Sequence, residues 1–253
     1  MNGAIPDALS TEKLCKNFGA LQVNVDVDFR MPRGCRHALI GPNGSGKTTL
    51  INLLGGALTS TSGKIFLEGN DVTHLPSNAR VVRGLARTFQ INTLFPRLTP
   101  IEAVTMAVCQ RRGIGASLWR SLRRSNDAID EAYAILAQMH LADDCDRPTA
   151  QLAYGRQRLL EIALALAAKP RVLLLDEPAA GVPQQQSGEI LSVISSLPED
   201  IAVLFIEHDI DLVFRFAERI TVLVAGRILC EGTPSEIAAD PEVRRIYLGD
   251  AVA

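Results

Sequence analysis

Residues 41–48 read Gly41-Pro42-Asn43-Gly44-Ser45-Gly46-Lys47-Thr48, which matches the pattern G-x-x-x-x-G-K-[ST] at every fixed position. An apolar run ending at Ile40 precedes this stretch, and the segment Thr48–Leu54 after it can form a helix. Glycines let the backbone curl so that successive N–H groups point at a phosphate, and the helix N-terminus adds its positive dipole end. We therefore predict a strand, a phosphate-binding loop and a helix. A dinucleotide loop is excluded because these glycines do not form G-x-G-x-x-G.

Two side chains of this loop have predicted chemical roles. The ammonium of Lys47 would reach the β- and γ-phosphates of a nucleotide. The hydroxyl of Thr48 would hold Mg²⁺.

The composition is that of a globular protein. The chain has 253 residues, of which 47% are hydrophobic and 21% charged, which suits one large domain or a core lobe with a smaller one attached. Its net charge of −2 does not indicate nucleic-acid binding by the molecule as a whole. The 5 cysteines are scattered without a C-x-x-C pair, which predicts a reducing compartment rather than a disulfide framework or a zinc site.

The sequence shows neither an export signal nor a membrane span. The segment 1–10 lacks the basic and apolar regions of a secretory signal. No apolar run approaches the roughly 20 residues that cross a bilayer. If the protein works at a membrane, we expect a partner to supply the membrane part.

Two kinds of strand pattern are present. Residues 23–29 alternate apolar and polar side chains, and residues 63–69 form another short strand between turns, which predicts antiparallel pairing near the N-terminus. Continuous apolar runs of the kind found in central parallel strands occur at 171–176, 201–206 and 220–224. Because helical patterns separate these runs, the C-terminal half is predicted to be α/β.

A mostly helical insertion is predicted between the strand-bearing halves. Residues 126–141 should form a helix with one face that includes Ile129, Tyr133, Leu136 and His140. Residues 156–168 are nearly all apolar after the first turn, which predicts a buried helix. We thus divide the chain into a core part at 1–90, a helical part at 91–160 and a second core part at 161–253.

The basic stretch 110–124 contains Trp119. A solvated helix is the favoured interpretation, and contact with lipid, nucleic acid or a partner protein is the alternative.

Polar side chains follow two of the predicted parallel strands, at the edge where such sheets bind ligands. Asp176 ends one strand and is predicted to hold Mg²⁺, which would supply the counter-ion that a buried carboxylate needs. Glu177 could orient or deprotonate the water that attacks the γ-phosphate. His208 follows another strand and could donate a hydrogen bond to the γ-phosphate, although a lone histidine is usually structural.

Two further residues are candidates on weaker grounds. The amide of Gln90 could sense the attacking water and the metal. The ring of Phe18, beside Gly19, could stack on a purine base, although its local sequence favours packing in a core.

The segment Leu152–Gln157 stands just before the long apolar helix and provides a second anion-ready helix N-terminus. The chain already contains one phosphate site. Two such elements in one protein predict a composite site that a second chain completes.

These motifs together resemble the ATP-binding subunits of ABC transporters over essentially the whole chain, and most of all the LivG/BraF-type subunits of branched-chain amino acid importers. The resemblance is carried by Gly41–Thr48, Ala86–Gln90, Leu152–Ala163, Asp176–Gly181, Glu207–Asp209 and Tyr247–Gly249.

The resemblance implies an α/β P-loop NTPase cassette with a parallel core sheet, an antiparallel β subdomain and an inserted helical subdomain. It implies ATP and Mg²⁺ as cofactors, with Thr48, Gln90 and Asp176 at the metal. Glu177 would be the catalytic base, Gln90 the residue between core and helical subdomain, and His208 the switch histidine. The residues implied at the nucleotide are Phe18, Gly41, Pro42, Asn43, Gly44, Ser45, Gly46, Lys47, Thr48, Thr49, Ala153, Tyr154, Gly155 and Gln157.

The resemblance also implies partners. Two cassettes, identical or homologous, would close head to tail over two ATP molecules, each signature meeting the other chain's loop. Two membrane permease subunits would contact the surface near Gln90 at the cytoplasmic face of the membrane, and an extracytoplasmic solute-binding protein would act indirectly. No nucleic acid is expected.

Two departures from the family pattern stand out. Ala153-Tyr154 replace the common Ser-Gly of the signature, which removes a hydroxyl from a possible γ-phosphate contact. Pro183 follows Val182 directly, so the polar side chain that usually links the two sites is missing. The second departure puts coupling between the sites, but not nucleotide binding, in question.

The expected function is ATP hydrolysis that powers import of branched-chain amino acids. The alternatives are transport of another small solute such as an amide or urea, or a lipopolysaccharide-type exporter. A soluble ABC ATPase of DNA repair or translation is a further alternative, but it predicts tandem cassettes or a long coiled-coil insertion.

Overall fold

Two β-sheets and the helices around them form the described chain, which in this computed structural model comprises residues 6–88, 94–114 and 126–248. The strands are β1 (Leu9–Phe18), β2 (Leu21–Val27), β3 (Arg30–Met31), β4 (Arg36–Ile40), β5 (Ser62–Leu67), β6 (Asn70–Asp71), β7 (Leu85–Arg87), β8 (Val172–Asp176), β9 (Ala202–Ile206), β10 (Arg219–Val224) and β11 (Arg227–Gly232). The α-helices are α1 (Lys47–Leu54), α2 (Ser77–Val82), α3 (Pro100–Arg111), α4 (Asn126–Gln138), α5 (Tyr154–Leu166), α6 (Gln184–Ser195), α7 (Ile210–Phe216), α8 (Pro234–Ala239) and α9 (Pro241–Leu248).

Some sequence predictions fall outside these ranges. Gln90 and Trp119 both lie outside the described residues. Among the helices that are described, none has the length and apolar character needed to cross a membrane.

The first sheet is antiparallel and runs in the order β2-β1-β5-β6, with β3 also paired to β1. This arrangement agrees with the antiparallel pairing predicted near the N-terminus. The predicted burial of alternate residues at 23–29 is wrong for its first half, because Asn24 is fully buried whereas Val23 and Val25 are only half-buried. Pairing with β1 shifts register here, and Asp26 has a φ of +48°, so the side-chain alternation is broken before Val27.

The second sheet carries the predicted parallel strands. Its described strands run in the order β11-β10-β4-β9-β8-β7, with every neighbouring pair parallel except β10 and β11. β4 therefore lies between β10 and β9, with β8 next along. This order brings the end of β4, where the phosphate-binding loop begins, beside the ends of β9 and β8.

Both faces of this second sheet are buried, as the continuous apolar runs predicted. In β8, Leu173 and Leu175 join a core formed with α3 to α6, whereas Val172 and Leu174 join a core shared with α1 and the first sheet. Side chains alternate between the faces of a strand, so an all-apolar run is needed where both faces are covered. α1 is thereby fixed between the two sheets.

The helical part packs through small residues together with only part of the predicted face. α4 buries Ala128, Ala132 and Leu136, whereas Tyr133 is exposed. His140, with a φ of +55°, lies beyond the helix end and is also exposed. The predicted face is right at Leu136 and wrong at Tyr133, because α3 packs closely on α4, and alanine lets two helices approach where tyrosine would hold them apart.

The long apolar helix is present as α5. Its buried residues include Leu159, Leu160 and Ile162, but Leu164 and Ala165 are only half-buried because they line a groove. α5 crosses the boundary predicted at residue 160. The three-part division of the chain stays a prediction.

Arg80 of α2 closes the C-terminal end of α1. Its side chain is fully buried, and its guanidinium donates to the carbonyl oxygens of Leu53 at 2.7 Å, Leu54 at 2.6 Å, Thr73 at 3.0 Å and Leu75 at 2.9 Å. Burial lowers the pKa of Arg80 to about 10. A cation at a helix C-terminus satisfies the carbonyls that the helix itself leaves unpaired.

We expect Arg80→Met to lower the free energy of unfolding by about 3 kcal/mol, because it leaves several buried carbonyls without a donor. Urea unfolding followed by circular dichroism measures this loss. Arg83→Met is the matched control, since Arg83 is exposed and should change stability by less than about 0.5 kcal/mol. Equal urea midpoints for the two variants would contradict the structural role of Arg80.

Candidate functional site

The phosphate-binding loop connects β4 to α1, as the sequence predicted. Gly46 is the N-cap of α1 with a φ of +100°, and no side chain caps the helix. A Cβ at Gly46 would lie 2.7 Å from the carbonyl oxygen of Val23 and 2.8 Å from Nδ2 of Asn24, so only glycine fits. The first N–H groups of α1 are thus left for an anion, with no acidic residue in the first turn to compete.

Lys47 folds over this loop. Its Nζ donates to the carbonyl oxygens of Gly41 at 2.8 Å and Pro42 at 3.0 Å. Burial lowers the pKa of Lys47, and the carboxylates of Glu177 and Asp176 oppose that shift. The ammonium therefore lies between the loop and the acidic strand end, where a phosphate would need a positive charge.

A pocket of about 250 Å³ lies on the loop. It brings together half of the residues predicted at the nucleotide with two of those predicted to be catalytic. Its lining is formed by Val23, Asn43, Gly44, Ser45, Gly46, Lys47, Thr48, Thr49, Glu177 and His208.

Asp176 ends β8 with a side chain that is 1% exposed. Its Oδ2 pairs with Nη2 of Arg87 at 3.2 Å, and its Oδ1 is buried without a hydrogen-bond partner among the described residues. Burial raises the pKa of Asp176, and the guanidinium of Arg87 opposes that shift. A carboxylate oxygen without a described partner and the hydroxyl of the exposed residue Thr48 are hard oxygen ligands that suit Mg²⁺, so these residues fit the metal implied by the sequence.

Glu177 and His208 form a pair at the mouth of the pocket. Nε2 of His208 lies 2.7 Å from Oε1 of Glu177. Glu177 has a φ of +51°, and its N–H donates to the carbonyl oxygen of Ile206 at 3.1 Å, which ties the end of β8 to the end of β9. A left-handed glutamate is strained, and strain of this kind is retained where it aims a functional side chain.

Glu207 is a site residue to which sequence reasoning gave no role. It is buried, and its Oε1 accepts from the N–H of Ala179 at 2.9 Å, while burial raises its pKa. This contact anchors the loop that follows Glu177 to the residue before His208. The signal available in the sequence was a carboxylate between an apolar strand and a histidine, since such a buried group needs a partner.

The signature segment is not part of the pocket of its own chain. Ala153 is the N-cap of α5 without a side-chain cap bond, and Gly155 is buried in the first turn. Gln157 donates through its side-chain amide to the carbonyl oxygen of Leu152 at 3.0 Å. These residues, with Tyr154, lie outside the lining of the pocket on the phosphate-binding loop.

Tyr154 contacts the loop that follows the acidic pair. A Cβ at Gly181 would lie in tight contact with Cε1 of Tyr154 at 3.2 Å, and the φ of +75° at Gly181 favours glycine. The hydroxyl of Tyr154 accepts from Nη2 of Arg158 at 2.7 Å. Pro183 ends this loop as the N-cap of α6.

Phe18 ends β1 and is 48% exposed, with the ammonium of Lys16 5.0 Å from the ring centroid. The interpretation of Phe18 as a core residue is therefore wrong. Phe18 does not line the pocket, and its stacking role stays a prediction. The role of Gln90 also stays a prediction, because that residue lies outside the described ranges.

The arrangement combines an anion-binding loop, a lysine, an oxygen ligand set and a carboxylate held by a histidine. Such a set can position a nucleoside triphosphate and activate a water at its terminal phosphate. That is the chemistry of phosphoanhydride hydrolysis.

Comparisons with family models agree with this geometry. A model described as ABC transporter matches residues 25–180, and one described as branched-chain amino acid ATP-binding cassette transporter matches residues 227–253.

The chain is similar over nearly its whole length to two curated proteins. The high-affinity branched-chain amino acid transport ATP-binding protein BraF of Pseudomonas aeruginosa is 35% identical over 252 residues, covering 96% of this chain and 98% of the relative. The corresponding protein LivG of Escherichia coli is 38% identical over 250 residues, again covering 96% and 98%.

Solved structures confirm the predicted fold class. The ADP conformation of MJ1267, an ATP-binding cassette of an ABC transporter, matches with a TM-score of 0.82 and 30% identity, covering 96% of this chain and 99% of that one. A dimeric post-hydrolysis state of the cassette MJ0796, bound to ADP and Pi, matches with a TM-score of 0.74 and 25% identity, covering 89% and 98%.

Proposed function

We propose that this chain, which belongs to the ABC transporter family of ATP-hydrolysing proteins, powers the import of branched-chain amino acids through a separate membrane permease. ATP is its nucleotide. The observation that carries the choice of solute is the match of residues 227–253 to the branched-chain amino acid cassette model. That match supports branched-chain amino acids over amides, urea or lipopolysaccharide as the cargo.

In the proposed mechanism, the loop and its lysine hold the triphosphate. The N–H groups at the start of α1 and the ammonium of Lys47 contact the β- and γ-phosphates. Thr48 and Asp176 would hold Mg²⁺, which would supply positive charge to neutralise the phosphates.

Glu177 takes a proton from the water that attacks the γ-phosphate. His208 holds Glu177 through the 2.7 Å contact between Nε2 and Oε1 and fixes the direction of the carboxylate. Glu207 keeps the following loop in place through Ala179, so the base remains at the mouth of the pocket.

A second cassette would complete the site. Leu152–Gln157 of one chain would meet the ATP held on Gly41–Thr48 of the other. Support comes from the position of the signature outside the pocket of its own chain, and from the dimeric state of the MJ0796 cassette. The second cassette is identical or homologous.

The permease would contact an apolar groove of about 890 Å³ beside the helical part. The groove is lined from α3 by Ala103, Met106 and Ala107 and from α5 by Leu164 and Ala165. Arg87 lies at its core-side wall. A protein that docks here would be held at the cytoplasmic face of the membrane, with a solute-binding protein acting on the far side.

Reconstitution tests this function. The chain is purified with the membrane proteins that accompany it, placed in proteoliposomes with the solute-binding protein, and assayed for ATP hydrolysis. We expect leucine, isoleucine or valine to stimulate hydrolysis, while urea and acetamide do not. Lys47→Ala in the same vesicles is the control for contaminating ATPases. Stimulation by urea or acetamide alone would overturn the choice of cargo, and a chain that purifies without membrane proteins would overturn the transport role.

A further inference from the structure

Arg87 is the last residue of β7 and has no role in the mechanism above. Its guanidinium spans two elements of the site: Nη2 lies 3.2 Å from Oδ2 of Asp176, and Nη1 donates to Oδ1 of Asn52 in α1 at 2.6 Å. The Arg87 side chain is 11% exposed and that of Asp176 is 1% exposed. The ion pair is therefore shielded from solvent, and this burial fixes its geometry.

The packing beside α1 leaves room for the Arg87 side chain. A Cβ at Gly55, just after α1, would lie 3.2 Å from Cδ of Arg87, so glycine leaves the space that the arginine stem occupies. Asn52 then holds the guanidinium from the helix that follows the phosphate-binding loop. The position of Arg87 is thus set from α1, and the position of the Asp176 carboxylate is set from Arg87.

The two carboxylate oxygens of Asp176 have different surroundings. Oδ2 is held by Arg87, whereas Oδ1 is buried and has no partner among the described residues. A ligating carboxylate is generally oriented by a second hydrogen-bonding group, which fixes the direction of the free oxygen.

We infer that Arg87 is a positioning residue, which holds Oδ2 of Asp176 so that Oδ1 is presented to the Mg²⁺ bound with ATP. This inference rests on the proposed role of Asp176 as a metal ligand. Arg87 does not touch the nucleotide, and it acts only through the carboxylate. Lysine cannot replace it fully, because a single ammonium lacks the planar fork that reaches Asp176 and Asn52 together.

The test compares Arg87→Gln with wild type for its Mg²⁺ requirement. We expect the Mg²⁺ concentration for half-maximal ATP hydrolysis to rise roughly 10- to 100-fold, as for other groups that orient a metal ligand. The second readout needs no turnover: the Tm is measured with ADP and Mg²⁺ and again with ADP and EDTA. The Mg²⁺-dependent part of the Tm increase should shrink in the variant, while the increase seen with ADP and EDTA stays.

Two further variants keep the result unambiguous. Arg111→Gln breaks a more exposed ion pair, Arg111 with Glu131 at 2.7 Å between α3 and α4, and should leave the Mg²⁺ requirement unchanged. The Mg²⁺ requirement of Arg87→Lys should lie between those of wild type and Arg87→Gln. Arg87→Lys replaces Arg87→Gln in the test if Arg87→Gln does not fold.

Several results would overturn the inference. An unchanged Mg²⁺ requirement in a folded Arg87 variant would do so. A loss that appears equally with EDTA, or equally in Arg111→Gln, would reduce Arg87 to an ordinary structural pair. If wild type hydrolyses ATP but shows no Mg²⁺-dependent Tm increase, the metal role of Asp176 fails and this inference fails with it. If wild type does not hydrolyse ATP at all, it is the proposed function that fails.

Discussion

Lys47→Ala is expected to reduce ATP hydrolysis by about 100- to 1000-fold, because it removes the one ammonium at the phosphate-binding pocket in the described part of the chain. Nζ of Lys47 lies within 3.0 Å of two loop carbonyls and would exchange these contacts for phosphate oxygens. Those oxygens gain negative charge as the γ-phosphate is cleaved, so the loss should appear in kcat as well as in ATP affinity. Phosphate release at saturating ATP, with ATP binding measured by Tm shift, checks both.

Lys64→Ala is the matched control for this variant. Lys64 is an exposed lysine of β5 that does not line the pocket, and its removal should leave hydrolysis unchanged. Wild-type hydrolysis in a folded Lys47→Ala protein would show that the loop does not hold the reacting phosphate.

Glu177→Gln is expected to lower the rate of hydrolysis by about 100- to 10,000-fold while leaving ATP binding intact. Glutamine has the same shape as glutamate and can still accept a hydrogen bond from His208, but its amide cannot take a proton from water. With binding preserved and cleavage blocked, the ATP-bound dimer should accumulate. Gel filtration with ATP, compared with ADP, measures this as a shift from monomer to dimer.

Glu12→Gln serves as the control, because Glu12 is an exposed glutamate of β1. It should elute like wild type in either nucleotide and hydrolyse ATP at the wild-type rate. Monomeric elution of Glu177→Gln in ATP would contradict either the composite site or the role of Glu177 as base. Wild-type hydrolysis in Glu177→Gln would exclude it as the base directly.

Much of the fold could be predicted from the sequence because its strongest signals are local. The phosphate-binding loop needs glycines at fixed spacing between a strand and a helix, and β4, the loop and α1 all lie where the motif predicts them. The strand ending at Asp176 was also readable, because a strand covered on both faces must be apolar throughout. Family membership then followed from several such motifs in order.

Other features depend on contacts that a local pattern does not contain. The burial of Asn24 arises from a register shift and the left-handed Asp26, and neither has a signature in the alternation of residues 23–29. The buried face of α4 depends on how closely α3 approaches it, so the predicted face included the large Tyr133, whereas alanines are what the contact requires. Tertiary packing rather than sequence periodicity determines which of these side chains are buried.

Sequence reasoning proposed roles where a single residue stands at a strand end and proposed none where one residue acts through another. Asp176, Glu177 and His208 stand at strand ends and could be named from that position alone. Glu207 and Arg87 were quoted within motifs but had no assigned role, because their partners are distant in sequence: Arg87 and Asp176 are 89 positions apart. One sequence read alone does not reveal which distant groups meet.

The same arginine that holds Asp176 also lines the apolar groove beside α3 and α5. One side chain thus faces the groove on one side and the acidic strand end on the other, with no rearrangement of the sheet needed to connect them. Binding equilibria that share a group are reciprocal. If Asp176 holds a cation as proposed, an occupant of the groove that shifts Arg87 would change cation affinity there, and cation binding would change the affinity of the occupant by the same factor. That factor corresponds to a measurable coupling free energy. Its size depends on how far Arg87 can move while it keeps its hydrogen bond to Asn52.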